Sequence, residues 1–109
     1  MPVWYGGGAT TLQAAATTNI DGTLLDVKGA ARLTVAVTIT GTITVNFEGT
    51  IDDTNWFAVG LKTAADGAAV TTTAASGVWK RTPDLALSQF RARTSGVAGG
   101  TATVVALKE

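Results

Sequence analysis

The chain has 109 residues with no formal net charge, and charged residues make up 15% of it, against the roughly 25% usual in soluble domains. That length holds one domain with a single core and leaves no room for a second independent one. Histidine and cysteine are both absent, which excludes disulfides, zinc thiolates, an imidazole base and any Ser/His or Cys/His nucleophile pair.

With no catalytic set, cofactor or metal cluster in view, the chain reads as a non-enzyme. A sequence pI near 6.2 argues against a nucleic-acid partner. No apolar run approaches the roughly 20 residues that span a bilayer, so no membrane partner is expected. The excess of Ala, Thr and Gly and the mean hydropathy of +0.29 describe a surface that would self-associate if left bare. Other chains are therefore expected to cover part of it.

The opening "MPVWYGGGATT" has neither the cationic nor the apolar region of a secretory signal. Residues 1–9 read as a flexible N-terminal arm, and 10–109 as the domain. Gly6, Gly7 and Gly8 form a joint, and Trp4 and Tyr5 before it would be costly to leave in water. They either fold back on their own domain or anchor on a neighbouring subunit, as swapped arms do.

Strand-like pieces follow at Thr10–Ala16 and Thr23–Val27. The strongest signal is "ARLTVAVTITGTITVNFEGTI", residues Ala31–Ile51, whose apolar side chains fall at odd positions with Thr, Ala and Asn between them. One straight strand of that length would span roughly 65 Å at about 3.3 Å per residue. A compact domain of this size has a radius of gyration of roughly 13 Å. A chain reversal is expected at Thr40-Gly41-Thr42, with an odd-length loop that keeps both apolar rows on one face.

A second hairpin turns through Asp52-Asp53-Thr54-Asn55, with Phe47 and Ile51 facing inward and Trp56–Lys62 returning. Asp52, Asp53 and Asn55, with Glu48 nearby, offer hard oxygens of the kind calcium binds, but their spacing does not match the twelve-residue calcium loop. Asx side chains also stabilise tight turns by bonding to nearby N–H groups. Asp52, Asp53, Asn55 and Trp56 are thus a hairpin corner or a weak ligand site for an ion or a glycan. Trp56 and Trp79 serve the core or, if exposed together, a sugar platform.

Further strands are expected at Ala68–Thr73, Gly77–Arg81, Ser88–Thr94 and Thr101–Leu107, divided by turn signals at Asp21, Asp66, Ser76, Ser95 and Gly99. Gln89, Arg91 and Arg93 alternate with Phe90 and Ala92, a polar strip that suits water or a subunit contact. About eight short strands without helical periodicity describe an all-β chain, an antiparallel β-sandwich of jelly-roll type.

At "VNFEGTIDDTNWFAV", "GVWKRTPDLALSQFRART" and "GTATVVALK" the chain resembles small bacteriophage virion proteins of the β-sandwich type. Their pattern is a strand ending "F-E-G/V-S-x-D-G-x-x-W", a middle segment leading to "R-x-R", and a final "GT-x-T-V" strand. The likeness spans roughly residues 30 to 107. Thr50 stands where Ser is usual and Asp53 where Gly is usual, the latter asking for a different turn.

The resemblance implies a structural virion protein assembled in the host cytoplasm. Its most direct form is a capsid decoration or cement protein that binds the shell as a dimer or trimer. The partners implied are the major capsid protein or tail proteins, with Trp4, Tyr5, Gln89, Arg91 and Arg93 at the interface. A carbohydrate-binding or adaptor module of a tail or fibre is the alternative.

Overall fold

The computed structural model describes residues 9–30, 32–81 and 86–108. The expectations placed on Trp4, Tyr5 and the arm as a whole lie outside those residues, apart from Ala9. Within them the chain is all-β: β1 (Thr10–Ala16), β2 (Leu25–Asp26), β3 (Leu33–Thr50), β4 (Trp56–Ala58), β5 (Lys62–Thr63), β6 (Thr72–Thr73), β7 (Gly77–Arg81) and β8 (Gln89–Lys108). All eight join one antiparallel sheet with the main order β1-β8-β3-β7-β5. β2 is added to β8, and β4 and β6 to β3.

The centre of the fold is a ribbon of β3 against β8. Its register runs from Leu33 opposite Lys108 to Thr40 opposite Thr101, and resumes as Thr44 opposite Ser95 through Thr50 opposite Gln89. Four residue steps on β3 therefore match six on β8. The reversal expected at Thr40-Gly41-Thr42 does not occur: β3 passes through Gly41 as one strand, and Ser88–Thr94 and Thr101–Leu107 are two halves of β8.

The constraint of length still holds, because 18 straight residues would reach roughly 60 Å and the longest dimension is 39 Å. The ribbon satisfies it by bending at a bulge, where the extra residues of β8 shorten one rail relative to the other. Gly41 (φ 68°) and Gly99 (φ 77°) occupy the left-handed region at that bend. A Cβ on Gly100 would lie 2.5 Å from the Thr42 carbonyl carbon, so the two backbones pass closer there than any side chain allows.

An insertion of two residues preserves face. Leu33, Val35, Val37, Ile43, Val45 and Phe47 of β3 are buried on both sides of the bend, as are Phe90, Ala92, Ala102, Val104 and Ala106 of β8. The bend folds this apolar face onto itself. Trp79 is paired with Val35 in the near half of the ribbon, yet its ring centroid is 5.8 Å from that of Phe47 in the far half. Phe90 completes the cluster, 6.4 Å from Phe47. Each such side chain contributes about 1.5–3 kcal/mol by leaving water.

Polar anchors close the remaining side of the core. Thr94, fully buried, donates to the Thr18 carbonyl (2.6 Å) and accepts from the Ile20 N–H (3.0 Å). The Gln13 amide donates to Ala92 O (2.8 Å) and Ile20 O (3.1 Å). Together they hold the 17–24 loop along the β8 edge at the bend, where no full strand pairs.

Candidate functional site

The hairpin after β3 forms as expected, with Thr50 opposite Trp56 and Glu48 opposite Ala58. Its corner is organised by one carboxylate. Asp52 Oδ1 accepts from the backbone N–H of Asn55 (2.8 Å) and of Thr54 (2.9 Å) and from the Thr50 hydroxyl (3.0 Å), while Oδ2 accepts from the Asn55 amide (2.7 Å). Those N–H donors, Asn55 first, hold the Asp52 carboxyl far below the usual carboxylate range, because hydrogen bonds to the charged form favour it.

Asp53 adopts φ 63° and accepts a hydrogen bond from the Ser88 hydroxyl. The expectation of a different turn at Asp53 is thus corrected: the aspartate takes the left-handed conformation that glycine would, which Asx residues tolerate better than most. Ile51 is 67% exposed, not inward as the alternation suggested, because the strand ends at Thr50 and the corner breaks the two-residue period. No group of three or more His, Cys, Asp or Glu among the described residues is placed to hold a metal ion.

The outer face of the far half of the ribbon gathers the two residue sets that the sequence presents apart. Arg91 lies opposite Glu48 and its Nε donates to Glu48 Oε1 (2.8 Å), while Arg93 Nε donates to Oε2 of the same carboxylate (3.1 Å). Asp21 adds a second anion to Arg91 at 3.5 Å. The Arg91 guanidinium also lies 4.2 Å from the centroid of the Trp56 ring, within the range of a cation–π contact. Arg91 belongs to β8 and Trp56 to β4, with β3 between them. The stacked pair therefore crosses above Thr50, which has no exposed surface.

Two cations and two anions balance here, so Arg91 and Arg93 form a neutral, braced cluster and not a free cationic strip. Glu48 and Arg91 side chains are each 15% exposed, which removes much of the solvent screening that weakens surface pairs. Asn46 extends the row, donating to Arg93 O (2.9 Å) and Ser95 Oγ (2.8 Å). Gln89 sits half-buried at the end of the same strand, opposite Thr50 and Asp26. Sequence reasoning missed Asp21, whose only signal was a turn dipeptide. Trp79 is 6% exposed and belongs to the core.

The outer face of the near half differs. Val78, Ala36 and Val105 make one cross-strand row, with Leu107 beside it and Thr34, Thr38 and Thr103 around it. Val78 and Leu107 are 43% and 38% exposed.

No protein-family model matches the chain, and no curated protein matches it. Among solved structures, it is similar to the SPBc2 prophage-derived protein YomS, with a TM-score of 0.80 at 16% identity over 94% of this chain and 92% of that one. It is also similar to the PBSX exported protein XepA, with a TM-score of 0.83 at 20% identity. That match covers 93% of this chain but only 37% of XepA, so the fold forms about a third of the larger protein. At these identities the likeness is one of fold: the bent antiparallel sheet is an architecture the chain shares with the prophage-derived YomS and with part of the PBSX exported protein XepA.

Proposed function

We propose that the chain is a non-enzymatic structural protein of a bacteriophage particle, acting as a capsid decoration protein that binds the assembled shell as a small oligomer. The observation that carries this reading is the fold shared with the prophage-derived YomS and the PBSX exported protein XepA, on a chain without histidine or cysteine. The near-half outer face, where Ala36, Val78, Val105 and Leu107 lie among threonines, supplies an apolar docking surface bordered by the Lys80–Asp66 pair. A stable contact of standard size would bury roughly 800 Å² on each partner. Binding to a closed shell then stabilises it by mass action.

The glycan-binding alternative finds less support. Trp79 is in the core, and one face of Trp56 carries the Arg91 guanidinium, so the two rings offer no common platform.

The test is to purify particles of the encoding phage and quantify the chain by mass spectrometry, then to add purified protein back to particles that lack it. Stoichiometric presence and saturable re-binding to the shell support the proposal. Absence from purified particles overturns it. Removal of residues 1–8 measures separately whether Trp4 and Tyr5 anchor the attachment.

A further inference from the structure

Arg81 is the last residue of β7 and faces the core side of the sheet with only 8% of its surface exposed. Its Nε has no hydrogen-bond partner among the described residues, and neither does the indole Nε1 of Trp79, two residues earlier on the same face. A buried N–H of a charged guanidinium without an acceptor carries an uncompensated desolvation cost. Six of the chain's eight carboxylate side chains are described, and each is engaged elsewhere. Asp21 and Glu48 meet the Arg91 cluster, Asp26 pairs with Lys28, Asp66 with Lys80, Asp52 holds its own loop and Asp53 meets Ser88.

We propose that Arg81 is the receptor for a carboxylate supplied by another molecule, with the Trp79 indole N–H as a second donor beside it. The planar guanidinium fork matches a carboxylate in two parallel N–H···O bonds. One buried cation balances one negative charge, which favours a carboxylate over a doubly charged phosphate monoester. Arg81 lies at a strand end: with Leu33 and Lys108 it forms the last cross-strand row among the described residues, and the Lys108 ammonium is taken up by the Asp26 carbonyl. The partner fitted by this chemistry is a protein presenting an exposed Asp or Glu side chain, and the inference is independent of where on a particle the chain sits.

The experiment is a ¹H–¹⁵N titration of the full chain with sodium acetate, with sodium chloride at matched ionic strength as the control and inorganic phosphate as the comparison. The Arg81 Nε–H and Trp79 Nε1–H signals are expected to move saturably with acetate, more weakly with phosphate, and not with chloride. Arg81→Lys, which keeps the charge and loses the fork, is expected to weaken acetate binding about tenfold. Equal responses to acetate and chloride would overturn the proposal. So would an Arg81 signal in the free protein that shifts on Asp84→Asn or Glu109→Gln, since the carboxylate would then come from the chain itself. The wild-type titration stands even if a variant fails to fold.

Discussion

Replacing Gly100 by alanine tests the bend of the ribbon directly. The new Cβ would meet Thr42 C and N at 2.5 and 2.7 Å, with Thr42 O closer still, all backbone atoms of a central strand that cannot swing aside as a side chain would. Overpacking of this kind costs about 3 kcal/mol, which for a domain of this size lowers the Tm by about 12–24 °C. The neighbouring Gly99 is the control. It has φ 77°, and a Cβ added there would meet nothing within 4 Å, so Gly99→Ala carries only the cost of a left-handed alanine, about 1 kcal/mol or about 4–8 °C. Thermal unfolding followed by far-UV circular dichroism, with urea midpoints as a second measure, separates the two. If both substitutions cost the same, or Gly100→Ala is neutral, the two strands do not cross at close range and the bent continuous ribbon is wrong.

Glu48→Gln keeps one acceptor oxygen, so one of the two guanidinium groups loses its Glu48 partner, and Arg91 retains only Asp21 as an anion. It is expected to cost about 1–2 kcal/mol in urea unfolding and to change Trp56 fluorescence as Arg91 is released from the ring. Thr94→Val preserves shape but removes the partner of the Thr18 carbonyl and the Ile20 N–H; a loss of about 1–3 kcal/mol is expected, with faster hydrogen exchange at Ile20. Asp52 has its pKa depressed in the folded protein. Its stabilising effect is therefore fully present above the unfolded-state value near 3.9 and is lost as pH falls through the folded value. Urea midpoints of the wild type should decline below about pH 4, and Asp52→Asn should show a shallower decline over the same range. An unchanged slope would remove Asp52 as the corner's organiser.

Much of this fold was legible wherever the cause is local. The two-residue period from Leu33 to Phe47 gives the buried face of β3, and the bounds expected for β1 and β7 coincide with those observed. Gly41 was misread because a left-handed glycine serves a turn and a bulge equally well. What decides between them is the partner strand, 58 residues later in the chain at Gly99, and no local pattern reports it. The same limit separated Glu48 from Arg91 and Arg93: one read as a hard-oxygen ligand, the others as an open strip, until register placed them side by side. Ile51 shows the opposite error, a period carried one step too far into a corner whose geometry Asp52 dictates.

The ribbon also governs when the protein can fold. Leu33 pairs with Lys108 and Thr50 with Gln89, so the central strand has its main partner only after the final strand has been synthesised. Until then the apolar row of β3 waits on the ribosome beside shorter strands that cannot cover it. Loop closure over such separations is slow, and the nascent chain is aggregation-prone until β8 has emerged. Yield in a recombinant host should therefore depend more on chaperone supply and growth temperature than on the stability of the finished domain.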